Sequence, residues 1–395
     1  GLVRRVRTWS SGFELTQRVL AYLFRREMSR RGAEAPDLGL APLDEVRRRA
    51  LGPDHASEQL VRSAIDAEAD ALLERIARPG GGVFAVVGER GLGKSTLLSR
   101  IRAIREDRTI VASSVTSLDQ LRTLLIAKLG LPSDASDEEI ARILEDPENE
   151  HVLLVDDAQR LIRPTMGGLE EFDRILELSR RYSRHCVWVF ALDQVVWRFF
   201  ELARGARPVF DDVLLLRRWP EEAIGRLLRT RSKEAGLLPS FDRVMERLPE
   251  TADELDVEQA RAATEAAYYR MIWDHAEGNP GVALHAWSDC LGANEAGECE
   301  VKVFRPAEIR ELECLPDSAV FVLRAVVRLE EASATEIAQA TMIPVAKVED
   351  ALRYGRAHGF FERVGDRHRL SWAWFRTVTR FLQRRYLLQP ERSTA

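Results

Sequence analysis

Short apolar runs alternate with amphipathic stretches through the first half of the chain. The runs that have the length and flanking residues of strands lie at 83–87, 108–115, 151–161, 185–194 and 211–219. Between them lie stretches such as 118–129, whose apolar positions recur at helical spacing. Strands that alternate with helices predict an α/β fold with a parallel sheet covered by helices on both faces.

The second half of the chain has a mainly helical pattern. Pro220 and the acidic residues after it form a good helix start, because proline suits the first turn and carboxylates favour the positive end of the helix dipole. From Asp317 the pattern predicts three helices followed by a hairpin that turns at Gly365, and Ser333 with Glu336 matches a capping box at the second helix. This order of elements resembles a winged helix.

These patterns predict five segments. They are an N-terminal helical arm and linker (1–56), an α/β domain (57–219), a helical lid (220–291), a connector (292–316) and a winged-helix domain (317–390). Within 13–31, apolar and basic residues alternate at helical spacing, which is typical of a helix that docks on a protein partner or at a membrane surface or membrane domain. Docking on the chain's own core is the simpler interpretation. Because the chain starts at Gly1 rather than at methionine, an upstream domain is a further expectation.

A glycine-rich segment directly follows the first apolar run. GERGLGKST satisfies G-x-x-x-x-G-K-[ST] in the strand–loop–helix setting that a phosphate-binding loop requires. Its backbone amides would surround phosphate oxygens, Lys94 would reach the β- and γ-phosphates, and Ser95 would ligate Mg2+. Thr96 fits a first-turn helix residue better than a ligand. The predicted nucleotide-binding residues here are Gly88, Glu89, Arg90, Gly91, Leu92, Gly93, Lys94, Ser95 and Thr96.

Two aspartates end the apolar run HVLLVDD. A carboxylate at the carboxyl end of a strand next to the phosphate-loop strand is placed to hold Mg2+ through water, and we assign that role to Asp156. Asp157 would then polarise the attacking water as a general base. The alternative is an aspartate-rich turn, which is common at strand ends.

The segment LLVDDAQRL looks like the Walker B strand of the AAA+ ATPases, especially of the branch with origin-recognition and transposition-regulator ATPases. The second acid is usually Glu in that family, so Asp157 is one methylene shorter. The resemblance implies a polar sensor at the end of the fourth strand, which is Asp193 or Gln194 here. It also implies a trans-acting arginine before the fifth strand, with Arg204 and Arg207 as candidates and Arg207 the choice.

The segment EGNPGVALHAW at 277–287 resembles the sensor-2 region of the same family. Gly281 stands where many relatives carry an arginine. The pattern also resembles the glycine–proline motif of the STAND signalling NTPases. Both resemblances imply that Asn279 and Pro280 pack near the nucleotide rather than take part in chemistry.

A winged helix can place its third helix in the major groove of DNA while its wing contacts phosphate. The candidate contacts are Lys347, Arg353, Arg356, Arg363, Arg367 and Arg369. Against this interpretation, Glu349 and Asp350 share the helix. In STAND proteins the same module acts as an internal clamp or a protein surface, so both interpretations stay open.

Net charge, cysteine content and the ratio of lysine to arginine exclude some classes of function and site. The net charge of -5 excludes a basic nucleic-acid coat, and four scattered cysteines fit neither a disulfide scaffold nor a zinc site but do fit a cytoplasmic protein. Basic residues number 58 and almost all are arginine, so a lysine such as Lys94 stands where lysine is required.

Together these features predict an ATP- and Mg2+-dependent switch of the AAA+ or STAND type, with hydrolysis or release resetting it. The alternatives are a signalling NTPase with a clamping winged helix, and a ring-forming motor that assembles as a homo-oligomer on ATP. A scaffold with an inactive site is disfavoured because Lys94, Ser95 and Asp156 are all present.

Overall fold

The computed structural model describes residues 40–55, 61, 66–148, 150–162, 167–204, 209–245 and 257–388. The helix predicted over 13–31 and the candidate Arg207 lie outside these residues. The chain divides into two compact units. The core unit comprises Ala64–Arg217, Arg310–Ser371 and Val378–Ala395, and the lid unit comprises Gly1–Ser63, Arg218–Ile309 and Trp372–Thr377.

The strands of the described residues are short. They are β1 (Ala41–Pro42), β2 (Gly82–Val87), β3 (Thr109–Ser113), β4 (Val152–Asp156), β5 (Val187–Leu192), β6 (Asp212–Leu215), β7 (Leu291–Ala293), β8 (Cys299–Val301), β9 (Glu331–Ala332), β10 (Phe361–Val364) and β11 (Arg367–Leu370).

The helices of the first half are α1 (Glu45–Leu51), α2 (Asp66–Ala77), α3 (Lys94–Ile104), α4 (Leu118–Lys128), α5 (Asp137–Leu144), α6 (Glu170–Arg181) and α7 (Gln194–Arg204). Those of the second half are α8 (Glu221–Glu234), α9 (Asp242–Met245), α10 (Val257–Ala276), α11 (Pro280–Asp289), α12 (Arg310–Glu313), α13 (Asp317–Leu329), α14 (Ala334–Thr341), α15 (Val345–Ala357) and α16 (Trp372–Arg384). Within the part of the chain that the structure describes, no helix is both long and apolar enough to cross a bilayer.

The core unit is built on a five-stranded parallel sheet with the order β3-β4-β5-β2-β6. Every residue of β2 and β5 is buried, because apolar side chains pack on both faces of these strands. Val83 and Ala85 contribute to the cluster on one face, and Phe84 and Val86 to the cluster on the other. The α/β fold with a covered parallel sheet is therefore confirmed.

The strand order corrects one prediction. Strand β4, which ends in Asp156, is not the neighbour of the phosphate-loop strand β2, because β5 lies between them. Val87 pairs with Leu192 on one side of β5, and Val155 pairs with Phe190 on the other. The residue that follows β5 therefore lies at the carboxyl edge of the sheet between the phosphate loop and the two aspartates.

Residues 310–371, here called the C-terminal module, contain α12 to α15 and the antiparallel sheet β10-β11-β9. The predicted capping box is present, since the Glu336 amide donates to the Ser333 hydroxyl and the Ser333 amide donates to the Glu336 carboxylate. Gly365, at a φ of 63°, makes the turn between β10 and β11. The order of helices and hairpin is the one that the sequence predicted for a winged helix.

In the lid unit, α8, α10 and α11 pack together around the rings of Phe241, Tyr268, Tyr269 and Trp287. The fully buried Arg231 donates to the backbone carbonyls of Gly52 and His55. The first residues of α16 belong to this unit, and Trp372, Trp374 and Phe375 are buried there. These aromatic rings are thus core residues.

Candidate nucleotide-binding site

The loop after β2 has the backbone conformation that a phosphate cradle needs. Gly91 and Gly93 have φ values of 88° and 99°, a region that side chains other than glycine rarely adopt. Gly88 is required for another reason, because a β-carbon there would lie 2.9 Å from the Cβ of Leu216. Glycine at these three positions follows from the backbone geometry and agrees with the motif.

The amino end of α3 is open to an anion. Gly93 is its N-cap residue and has no side chain that could accept from the first amides of the helix. These amides and the positive end of the helix dipole suit a phosphate group. Ser95 and Thr96 are exposed in this first turn, so the hydroxyl of Ser95, the predicted metal ligand, is accessible to a metal ion. The loop and the helix therefore fit the predicted ATP and Mg2+.

Lys94 is the cation of the site, and its side chain is only 8% exposed. Its ammonium group donates to the carbonyl of Gly88 at 2.8 Å and to Oε1 of Glu330 at 3.2 Å. Burial opposes the charge, but Glu330, Asp193 and Asp157 outweigh it, so the pKa of Lys94 lies above its usual value. Lys94 is therefore charged at physiological pH.

The two aspartates after β4 lie at the sheet edge, as predicted. Oδ1 of Asp156 accepts from the amide of Asp157 at 2.9 Å, and Oδ1 of Asp157 accepts from Nε2 of Gln159 at 3.1 Å. Asp157 has a φ of 53°, a left-handed conformation that aspartate and asparagine tolerate better than most residues. Burial, followed by the charges of Glu330 and Asp156, raises the pKa of Asp157 to about 6.

Asp193 is the polar residue at the end of β5, where the family resemblance implied a sensor. Its side chain is buried, and Oδ1 accepts from the amide of Val195 at 2.8 Å. Burial and the nearby charge of Glu330 raise the pKa of Asp193 well above its usual value. Between the two predicted sensor candidates, Asp193 lies in the network around Lys94, whereas Gln194 begins α7.

Sequence reasoning missed one member of the site, Glu330 of the C-terminal module. Its side chain is 14% exposed, and its two oxygens accept from Lys94 at 3.2 Å and from Nε2 of Gln159 at 3.1 Å. Burial disfavours the charge of Glu330, but Lys94 and a hydrogen bond with Asp193 outweigh it, so its pKa is lowered. Glu330 is therefore ionised at physiological pH.

Two further contacts join the module to the same edge of the sheet. Arg160 follows the aspartates by one turn, and its side chain is 9% exposed. Its Nη2 lies 3.3 Å from Oε1 of Glu331. Arg90 of the phosphate loop donates to the carbonyl of Leu370 at 2.6 Å. Arg90 therefore has a partner in the C-terminal module, although the sequence predicted it as a nucleotide-binding residue.

The other predicted residues lie elsewhere. Asn279 caps α11 by accepting from the amide of Val282, and Pro280 is its first residue. Both belong to the lid unit, so their proximity to nucleotide stays a prediction. Arg204 is the last residue of α7. The role proposed for Arg207 stays a prediction because that residue lies outside the described part of the chain.

Three of the six predicted DNA-contacting residues form ion pairs with carboxylates of the module itself. Arg353 pairs with Asp350, Arg367 with Glu336, and Arg369 with Glu362. Lys347, Arg356 and Arg363 are exposed. Such pairing weakens the electrostatic attraction for a phosphate backbone, so DNA contact also stays a prediction.

The segment that contains the phosphate loop and the two aspartates matches a known protein family. Residues 77–193 match the family model described as AAA domain. No curated protein sequence matches the chain. The fold is similar to that of the Aeropyrum pernix ORC2 protein (16% identity, 86% of this chain and 98% of that chain covered, TM-score 0.39).

Two other similar structures are the Aeropyrum pernix ORC1 protein in complex with DNA (16% identity, 87% and 99% covered, TM-score 0.35) and domain III of the Thermotoga maritima replication initiation protein DnaA (18% identity, 62% and 88% covered, TM-score 0.36). The match to the AAA domain model over residues 77–193 includes the phosphate loop and the acidic strand end that carried the resemblance in the sequence.

Proposed function

We propose that this chain is an ATP-binding switch that couples nucleotide state to the position of its lid and C-terminal module, and that it hydrolyses ATP to reset. The observation that supports this function is the convergence of Lys94, Asp156, Asp157 and Asp193 beside the uncapped amino end of α3. Ser95 and Asp156 would hold Mg2+, which neutralises phosphate charge when bound. Asp157 would accept the proton of the attacking water.

The metal dependence of binding tests this assignment. Ser95→Ala removes a hydroxyl that would ligate Mg2+, so we expect it to lose the increase in ATP affinity that Mg2+ gives the parent. Its affinity measured in excess chelator should stay unchanged. Calorimetric titration with and without Mg2+ measures both quantities.

Ser99→Ala is the matched control for that titration. Ser99 lies one turn further along α3, and its hydroxyl donates to the carbonyl of Ser95, away from the predicted phosphates. We expect it to bind like the parent under both conditions. A parent chain that binds no ATP with or without Mg2+ would refute the proposed function itself.

A ring-forming motor is an alternative that makes a different prediction. An arginine finger contributes only when a neighbouring subunit places it at the site. We expect Arg207→Ala to bind ATP like the parent and to lose any activity that rises with protein concentration. Mixing it with a Lys94→Ala chain should restore part of that activity.

The measurements are turnover as a function of protein concentration and molecular size with and without a nonhydrolysable ATP analogue. A monomer whose turnover neither depends on concentration nor changes in Arg207→Ala would exclude the ring and leave the switch.

A signalling NTPase whose C-terminal module acts as a clamp is a second candidate. The observation that favours it is the contact of Glu330 with Lys94, because it joins the module to the residue that should bind phosphate. DNA contact by the module, in contrast, rests on its order of elements and its exposed basic residues.

A further inference from the structure

Glu330 holds an unusual backbone conformation at the point where α13 ends. Its φ and ψ are 58° and -47°, outside the regions that residues with a β-carbon prefer. Such strain persists only where surrounding contacts hold it in place. The next residue, Glu331, begins β9 and pairs with Arg369 of β11, which fixes the chain on the far side of the turn. The carboxylate of Glu330 is therefore held at the phosphate loop by backbone geometry on both sides.

The contacts of Glu330 are those that a phosphate oxygen would need. Lys94 has three N–H donors, of which one goes to Gly88 and one to Glu330. The second oxygen of Glu330 takes the Nε2 donor of Gln159, which also contacts Asp157. An ionised carboxylate and a phosphate are both anionic oxygen acceptors, so they compete for the charged ammonium group of Lys94.

Electrostatic repulsion also prevents the Glu330 carboxylate and a nucleotide phosphate from occupying the site together. Asp156, Asp157 and Glu330 already surround Lys94, and Asp193 adds a fourth carboxyl group. A nucleoside triphosphate would bring further negative charge into a site where burial strengthens electrostatic repulsion. Displacing the Glu330 carboxylate from Lys94 relieves the repulsion and frees the Lys94 donor in one step.

We propose that Glu330 competes with nucleotide phosphate for Lys94, so that the C-terminal module holds the site closed until a phosphate displaces the carboxylate. This inference rests on the proposed function, because it assigns the regulation of the same site. The contacts of Arg160 with Glu331 and of Arg90 with Leu370 connect the carboxylate to the sheet of the module. Displacement of Glu330 therefore releases the module, which is the output of the switch.

The test compares Glu330→Gln with the parent by calorimetric titration with a nonhydrolysable ATP analogue in Mg2+. Glutamine keeps the size of the side chain and removes its charge. We expect affinity to rise by about 10- to 100-fold, because hydrogen bonds that involve charged groups contribute about 1.5–3 kcal/mol and each 1.4 kcal/mol is tenfold. Affinity for AMP, which lacks the phosphates that Lys94 should bind, should change little.

Two variants of the same module serve as controls. Glu349→Gln makes the same chemical change at an exposed position of α15, and we expect it to bind like the parent. Glu331→Gln breaks the pairing with Arg160 but keeps the competing carboxylate, so it should raise affinity less than Glu330→Gln does. Thermal unfolding of each variant confirms that it is folded.

The possible outcomes distinguish a failure of the proposed competition from a failure of the proposed ATP-binding function. A parent that binds the analogue, together with a Glu330→Gln variant of equal affinity, would overturn the competition and leave the proposed function intact. The competition would also be overturned if Glu330→Gln raised the affinity for AMP as much as that for the ATP analogue, or if Glu331→Gln raised the affinity for the analogue more than Glu330→Gln does. Either result would show that docking of the module, rather than the Glu330 carboxylate, limits binding. A parent and variant that both fail to bind would refute the function and the inference together.

Discussion

Lys94→Ala is expected to abolish measurable nucleotide binding. The lysine is the buried cation of the site, and its bonds to phosphate would be charge-assisted, so affinity should fall by at least about 100-fold. Calorimetric titration with the nonhydrolysable analogue measures the loss. Lys128→Ala, which removes an exposed lysine from the last turn of α4, is the control and should bind like the parent.

The same substitution should also destabilise the nucleotide-free protein. Without Lys94, the buried carboxyl groups of Glu330 and Asp193 lose the charge that compensates them. Removing one partner of a buried ion pair costs about 3–5 kcal/mol, which corresponds to a fall of roughly 6–20 °C in the unfolding midpoint for a unit of this size.

A double variant separates these two effects of Lys94. Lys94→Ala with Glu330→Gln should recover much of the unfolding midpoint, because the uncompensated carboxylate is gone, but it should not recover ATP binding. If the single variant kept its affinity for the analogue while remaining folded, the phosphate-loop assignment would be wrong.

The parts of this site that the sequence predicted are local in the chain. The phosphate loop occupies 88–96 and lies between a buried strand and a helix, and the aspartates directly follow an apolar run. Each pattern needs only neighbouring residues, because glycine at positive φ and an uncapped helix start are set by the local backbone. Local patterns also located all five parallel strands, although the runs 151–161 and 211–219 extend beyond the observed ends of β4 and β6.

The parts that the sequence did not predict depend on distant contacts. The order of strands in a parallel sheet depends on how each crossover packs, so the sequence could not place β5 between β2 and β4. Glu330 lies 236 positions after Lys94, and the segment LEEASATE is typical of a helix end followed by a capping box. Nothing in that segment distinguishes Glu330 from a solvated acid until the module packs against the phosphate loop.

One omission had a signal in the sequence. Helix α5 begins with a capping box in which Ser136 and Glu139 exchange hydrogen bonds, the same S-x-x-E pattern that identified the start of α14. The pattern would have predicted this helix.

Asp157→Asn is expected to keep nucleotide binding and to lose turnover by about 10²- to 10⁴-fold, which is the usual contribution of a positioned general base. Asparagine suits the left-handed backbone of this position, and its Oδ1 can still accept from Gln159. Asp156 and Ser95 remain to hold the metal. Turnover assays and calorimetric titration measure the two effects, and Asp366→Asn makes the same chemical change in an exposed turn as a control. Turnover equal to that of the parent would place the general base elsewhere, with Glu89 as the next candidate.

The same variant should be more stable than the parent at neutral pH. The folded-state pKa of Asp157 is raised from 3.8 to about 6, so the folded protein favours the protonated carboxyl group and loses that stability as the pH rises through about 6. Ionised Asp157 therefore destabilises the folded protein. Because the side chain is 33% exposed, solvent screens part of this cost, which is about 1–2 kcal/mol. Asparagine removes this cost, and thermal unfolding should show a higher midpoint for the variant at pH 7.5. Below about pH 3 the parent carboxyl group is protonated in both states, so the difference should disappear. A difference that stays constant across this range would show that Asp157 does not carry the raised pKa on which its role as a base at near-neutral pH depends.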